Sequence, residues 1–324
     1  MINVSIVGTS GMTPLPNRHL SSCLVQYNGI NYLIDAGEGT QVALKKLGAS
    51  LKKIDYVLLT HYHTDHVGGL AGLFASMANN EKDTMLTIIG PKGLNRVVEA
   101  SKRLVSKLPF TIKIIELIDS TPTLKCNGLA ITPFPVEHKI ACFGYKIELP
   151  RDGKCDPEKA KANDVPMEYW SALQQNQIVK YNGRVLTKDL IMSPTRAGIK
   201  FVYTTDTRPC RTIVDAAKDA DLFICEGMYG EDEQLSNAEK NLHMTMQEAA
   251  SIAATCGVKE VILTHFSPSM VHPEKYLDEL HLCQIGAFIQ VCDLKVVNRK
   301  IAVVYAPDLD ITGTEITVIC LSDD

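Results

Sequence analysis

Short apolar runs, bounded by Gly, Asn, Asp or Pro, recur along most of the chain: NVSIVG, SCLVQY, INYLID, DYVLLT, MLTIIG, TIKIIEL, LAITPF, FGYKIEL, IKFVYTT, DLFICEG, EVILTH and IAVVYA. Their Val, Ile and Tyr content reads as strand after strand. Asn28-Gly29 separates two of these runs and is a hairpin signal, so part of the sheet system is antiparallel. Apolar positions at three-four spacing, with charges opposite, predict a helix over Leu94 to Leu108. A second helix is expected from Thr40 to Leu47, stopped by Gly48. A third spans Thr245 to Cys256, with Thr245 and Glu248 in capping-box spacing and Gly257 as terminator. This mixture predicts two packed sheets with helices outside. The rhythm breaks from Arg151 to Lys200, where strands thin out and the only tryptophan, Trp170, appears. Nine Lys/Arg face six Asp/Glu there. The segment reads either as a solvated insertion without a role or as an arm offered to an anionic partner.

Composition narrows the class without changing this picture. The 324 residues are 45% hydrophobic and 22% charged, which is ordinary for a globular protein and excludes a disordered or collagen-like chain. A net charge of −4 removes the overall basic character of many nucleic-acid binders, leaving room only for a local basic patch. No apolar run approaches the roughly 18 residues of a membrane span, so no membrane partner is expected. The start MINVSIVGTSG lacks a basic region and a cleavage motif. The ten cysteines include no C-x-x-C, and several sit in apolar runs, as Cys225 and Cys320 do. They read as reduced thiols of a cytoplasmic protein.

The strongest chemical signal is His61-Tyr62-His63-Thr64-Asp65-His66, directly after the strand DYVLLT. On an extended segment His61 and His63 project to one side, because side chains alternate. Asp65 and His66 then fall at the turn into the next helix. Four nitrogen and oxygen donors in six residues exceed what one zinc takes from a single segment, and two adjacent metals explain that density better. Further donors stand in matching contexts: His138 follows AITPFPVE, Asp206 follows KFVYTT and His265 follows EVILT. Each ends an apolar strand, where a rigid scaffold carries function on its loops. Any one of them alone would more often be structural.

This pattern resembles the metallo-β-lactamase-fold hydrolases, and among them the bacterial ribonuclease Z family of tRNA 3′-processing endonucleases. The likeness runs through GTSGMTPLPNRHLSS, LIDAGEGTQ, LLTHYHTDHVGGLAGL, IIGPKGL, YTTDTRP, ICEGMYG, LHMT and LTHFSP, in order along essentially the whole chain. It implies an α/β fold, a four-layer αββα sandwich forming one domain over residues 1–324, with an inserted arm at 151–195 as a candidate tRNA exosite. It implies one metal held by His61, His63 and His138, a second by Asp65, His66 and His265, and Asp206 bridging the two. The donor set suits two Zn²⁺ per subunit, with Mn²⁺ also compatible. Asp65 is either a ligand alone or also the group that orients the nucleophile and accepts its proton.

The resemblance further assigns catalysis to Glu226 and His243, a carboxylate and imidazole that would protonate the ribose leaving group. The implied reaction removes the 3′ trailer from a tRNA precursor, leaving a 3′-OH tRNA and a 5′-phosphorylated trailer, carried out by a homodimer. The chain departs from the family pattern in places. The His-Glu-Ala-Thr element reads Cys225-Glu226-Gly227-Met228, Ala36 opens what is usually Cys-Gly-Glu-Gly-Thr-Gln, and Thr64 replaces a glycine. The arm reads Val165-Pro166-Met167-Glu168-Tyr169-Trp170 in place of a Gly-Pro element. Every metal position is filled, and the changes fall on substrate recognition. The alternative functions are a small-molecule hydrolase on the same scaffold, acting on a cyclic nucleotide, sulfate ester or lactone, and a binding module without catalysis. His19, His272 and His281 read as structural or surface residues. Arg208 reads equally as a phosphate contact and as a loop anchor.

Overall fold

The computed structural model describes residues 2–16, 18–105, 107–151, 153–194, 196–230, 234–276, 288–291, 303–304 and 316–320. His281, Cys283 and Cys292 lie outside these residues, and at Cys320 only the backbone is described. The chain divides into two compact units.

The larger unit comprises residues 1–123, 132–146 and 201–324. One of its sheets has eight strands, six of which are Ile2–Gly8, Ser22–Tyr27, Ile30–Ile34, Ile54–Leu58, Leu86–Pro91 and Ile112–Leu117, adjacent in that order with the last at the sheet edge. The first three form an antiparallel meander, and from Ile30–Ile34 onward the pairing is parallel. The hairpin expected at Asn28-Gly29 is present, with φ of 49° and 77°, as a turn matched to strand twist requires. In the second sheet Phe201–Tyr203, Leu222–Glu226, Glu260–Thr264 and Phe288–Val291 run parallel.

Alternation along each strand sends one set of side chains to the helices and the other between the sheets. Leu33, Val57, Leu59 and Ile88 join Leu44, Leu73 and Phe74 beneath the helices Thr40–Lys46 and Leu70–Asn79. Phe223, Cys225, Val261 and Leu263 pack with Ile213, Ala249 and Ala253 of the helices Arg211–Ala217 and Met246–Cys256. The intervening Tyr32, Ile34, Leu58, Ile224 and Ile262 are buried without contributing to either helix-side cluster. Tyr145, in the strand Cys142–Arg151 of the second sheet, donates from its hydroxyl to the Leu59 carbonyl beside the first sheet at 2.7 Å. The capping box at Thr245 is formed in both directions, and Gly257 closes the helix with φ 63°. The helix expected over Leu94 to Leu108 ends at Lys102. Pro109 disfavours helical backbone at the residue before it, and Val105 and Leu108 pack against the core from outside the helix.

The smaller unit comprises residues 124–131 and 147–200 and is more ordered than its sequence suggests. Asp156 caps the helix Pro157–Ala162 by accepting from the Glu158 and Lys159 amides, both at 3.0 Å. The strands Val179–Tyr181 and Arg184–Leu186 pair across Asn182-Gly183, a second Asn-Gly hairpin. Ala160, Val165, Leu173, Leu186 and Ile191 form a small core of their own. Trp170 packs against that core and donates its indole N–H to the Val165 carbonyl at 3.0 Å. No helix among the described residues is long and apolar enough to cross a membrane.

Candidate metal centre

All the chemistry-bearing residues expected from the sequence meet at one edge of the larger unit. The parallel strands end there together, since Ile34 is level with Leu58 and Glu226 with Thr264. Ligands in open α/β sheets gather in the crevice outside such carboxyl ends. His61 and His63 follow Ile54–Leu58, and Asp65 and His66 lie in the one-turn helix Thr64–Val67. His138 follows Leu129–Val136, Asp206 follows Arg196–Tyr203, and His265 follows Glu260–Thr264. His265 turns back into the site with φ 56°, a left-handed backbone held by its surroundings.

The donor atoms fall into two groups that share one residue. His61, His63, His138 and Asp206 form one, and Asp65, His66, Asp206 and His265 the other, with ligand atoms within 4.8 Å of one another. Asp206 gives Oδ2 to the first group, 3.6 Å from His61 Nε2 and 3.7 Å from His138 Nε2. It gives Oδ1 to the second, 3.1 Å from His66 Nε2 and 3.0 Å from His265 Nε2. Asp65 Oδ2 stands 3.6 Å and 3.5 Å from the same two nitrogens and accepts the Met12 amide at 2.7 Å.

The chemistry of this donor set fits two divalent cations. His61 Nε2 and His63 Nδ1 face each other at 3.0 Å, His138 Nε2 and His63 Nδ1 at 3.2 Å, and His66 Nε2 and His265 Nε2 at 3.3 Å. Burial and, for His61, the neighbouring imidazoles hold His61 and His63 below the ordinary histidine range; burial brings His138 down to about 4. These three rings are therefore neutral at physiological pH, the form that offers a lone pair to a metal. Burial also opposes a proton on His66, but Asp206 and Asp35 on its two sides outweigh that and push it up. A cation at Nε2 would take the place of that proton. Nitrogen and carboxylate donors without thiolate suit zinc or manganese.

Outer partners fix the rings. His66 Nδ1 meets Asp35 Oδ2 at 2.9 Å, His61 Nδ1 meets Thr60 Oγ1 at 3.0 Å, and His138 Nδ1 donates to the Leu242 carbonyl at 3.1 Å. Such contacts set which nitrogen is left for the metal. Asp35 also accepts from the Thr60 amide at 2.8 Å, so one fully buried carboxylate organises two adjacent strand ends. Its role is invisible in periodicity. The available signal is an aspartate ending an apolar strand beside the motif-bearing strand.

Beside this centre, Glu226 Oε2 lies 3.0 Å from His243 Nδ1, and His243 Nε2 faces Asp206 Oδ2 at 4.0 Å. Burial alone would depress His243, but the charge and hydrogen bond of Glu226 raise it to about 9. Arg208 settles as a loop anchor. It grips Glu248 through Nη1 and Nη2, at 2.9 and 2.5 Å, and donates from Nη1 to the His243 carbonyl at 2.7 Å. A cleft of about 350 Å³ opens onto His63, Asp65, His138, Asp206 and His243.

Comparison with known proteins agrees with this geometry. A beta-lactamase superfamily domain model matches residues 186–266, and a model described as anti-Pycsar protein Apyc1 matches residues 2–103. The crystal structure of human tRNase Z, short form, superposes with a TM-score of 0.62 at 24% identity, covering 83% of this chain and 94% of that one. The fold is that of the metallo-β-lactamases, two mixed sheets with helices outside, as expected from the sequence. Ribonuclease Z of Agathobacter rectalis is 48% identical over 289 residues, 89% of this chain and 95% of the relative. Ribonuclease Z of Lachnoclostridium phytofermentans is 48% identical over 86% of this chain and 92% of its own length. The chain belongs to the ribonuclease Z family.

Proposed function

We propose that this protein is a metal-dependent endoribonuclease that removes 3′ trailers from tRNA precursors, cutting after the discriminator nucleotide. The observation that carries the reading is the pairing of a seven-residue, two-ion donor set with a carboxylate-supported histidine in a chain nearly half identical to ribonucleases Z. His61, His63 and His138 would hold one ion and Asp65, His66 and His265 the other, with Asp206 offering an oxygen to each group. Zinc is the ion proposed. When bound, the pair supplies an activated water and offsets charge on the phosphoryl oxygens.

The chain's own residues do the remaining work. Asp65, fixed by the Met12 amide, accepts the proton of the attacking water. His243 carries a proton on Nε2 and gives it to the departing ribose O3′, which leaves poorly as an alkoxide. Glu226 accepts from Nδ1–H, keeping the imidazole charged and aimed. The products are a 3′-OH tRNA and a 5′-phosphorylated trailer. The protein acts as a homodimer in the cytoplasm, and the segment 151–195 serves as the arm that holds tRNA.

The test is incubation of metal-loaded protein with a 3′-extended pre-tRNA, in parallel with bis-p-nitrophenyl phosphate. A single cut after the discriminator supports the reading. Hydrolysis of the small diester without any pre-tRNA cleavage favours the small-molecule enzyme. Lys180 and Arg184 are exposed on the Asn182-Gly183 hairpin, and reversing both to Glu examines the arm. KM for pre-tRNA should rise about tenfold or more, and the dependence of binding on salt should flatten by about one unit of slope per lost phosphate contact. Turnover of bis-p-nitrophenyl phosphate should not change. Unchanged KM and salt slope would remove tRNA binding from this hairpin.

A further inference from the structure

The wall of the cleft beside His243 carries a polar chain that the metal centre does not use. Lys139, Tyr229 and Asn241 line the same cleft as Asp206 and His243. The Tyr229 ring stands across that of His243, with centroids 6.5 Å apart and planes at 68°. Asn241 Nδ2 lies 2.9 Å from the Tyr229 hydroxyl, and Lys139 Nζ lies 3.3 Å from Asn241 Oδ1. An ammonium group can only donate, so the amide oxygen faces Lys139 and the amide nitrogen faces Tyr229. The phenol oxygen thus receives a hydrogen from Asn241, and no hydrogen bond from its own O–H is seen among the described residues.

The position of this spare donor decides its target. His243 Nε2 serves the departing O3′ in the reaction proposed above, and the 2′-hydroxyl sits on C2′, the ribose carbon adjacent to the C3′ that bears that oxygen. A donor on the same cleft wall as His243 is therefore on the side where the neighbouring 2′-oxygen would lie. We infer that Tyr229, oriented by Asn241 and Lys139, reads the 2′-hydroxyl of the nucleotide on the 5′ side of the scissile phosphate, making it a specificity-determining residue for RNA over DNA. The 2′-hydroxyl is the group by which a protein separates the two at a single site. The inference rests on the endoribonuclease reading.

A cycle between enzyme and substrate tests it. The substrates are a 3′-extended pre-tRNA and the same molecule with one 2′-deoxy nucleotide immediately 5′ of the cut. With wild-type protein the single deoxy change should lower kcat/KM about tenfold, the order of one neutral hydrogen bond. Tyr229→Phe should lose about the same on the all-ribose substrate and nothing further on the deoxy one. Bis-p-nitrophenyl phosphate has no ribose, and its hydrolysis by the variant should match wild type. Asn241→Leu gives a second arm of the cycle and should weaken the same discrimination. Losses that multiply to about a hundredfold, or a deoxy substrate cleaved at the full rate, would overturn the inference while leaving the endoribonuclease reading intact. A wild-type protein that cleaves no pre-tRNA at all would overturn both.

Discussion

Asp206→Ala should abolish hydrolysis of pre-tRNA and bis-p-nitrophenyl phosphate alike, with metal content falling from two ions per chain and the fold retained. Asp206 is the one residue with an oxygen in each donor group, at 3.0–3.7 Å from four different imidazoles. Its loss leaves each group three donors and removes the negative charge that lets two cations sit side by side. The deficit should exceed the roughly 10²–10³-fold cost of deleting a single charge-stabilising donor. The sheets should survive, because the site lies beyond the strand ends and the cores beneath the helices are apolar. Activity on both substrates, metal content and a thermal melt decide the matter together. A folded variant with two ions and full activity would remove Asp206 from the centre.

His243→Ala should separate the two substrates that Asp206→Ala treats equally. The departing ribose oxygen needs a proton, and losing its donor should slow pre-tRNA cleavage by about 10²–10⁴-fold. A nitrophenolate leaves unaided, so bis-p-nitrophenyl phosphate should be hydrolysed at close to the wild-type rate. The pairing with Glu226 at 3.0 Å gives the imidazole the support that a general acid requires. Glu226→Gln should reproduce the pattern more weakly, since the amide still orients the ring without holding its charge. Equal losses on the two substrates would mean that His243 holds the centre together instead of delivering a proton.

The parts of the molecule legible in its sequence are those written locally. The Asn28-Gly29 turn and the Thr245 capping box depend on residues a few positions apart, and both appear where expected, whereas most of the strand expected over IAVVYA lies outside the described residues. The donor residues were legible because six consecutive positions concentrate them, and strand-end placement brought in His138, Asp206 and His265. The outer partners were not. Asp35 reaches His66 across 31 positions, and Arg208 reaches Glu248 across 40. Pairs so distant in sequence leave no periodic trace. The pairing of Tyr229 with Asn241 is illegible for a related reason: a lone tyrosine after the strand Leu222–Glu226 and a lone asparagine ending the helix Leu235–Asn241 carry no pattern, and only the cleft makes them neighbours. The 151–200 segment reads as polar because its core is small. Five buried side chains suffice for a unit of that size when Asp156 caps its helix and Asn182-Gly183 closes its hairpin.

The central claim is a two-ion centre joined by one carboxylate, and anomalous diffraction from zinc-loaded crystals at the metal edge tests it most directly. The expected map has two peaks per chain, one among His61, His63 and His138 and one among Asp65, His66 and His265, with Asp206 reaching both. A single peak, or peaks away from these seven residues in crystals of active protein, would contradict it.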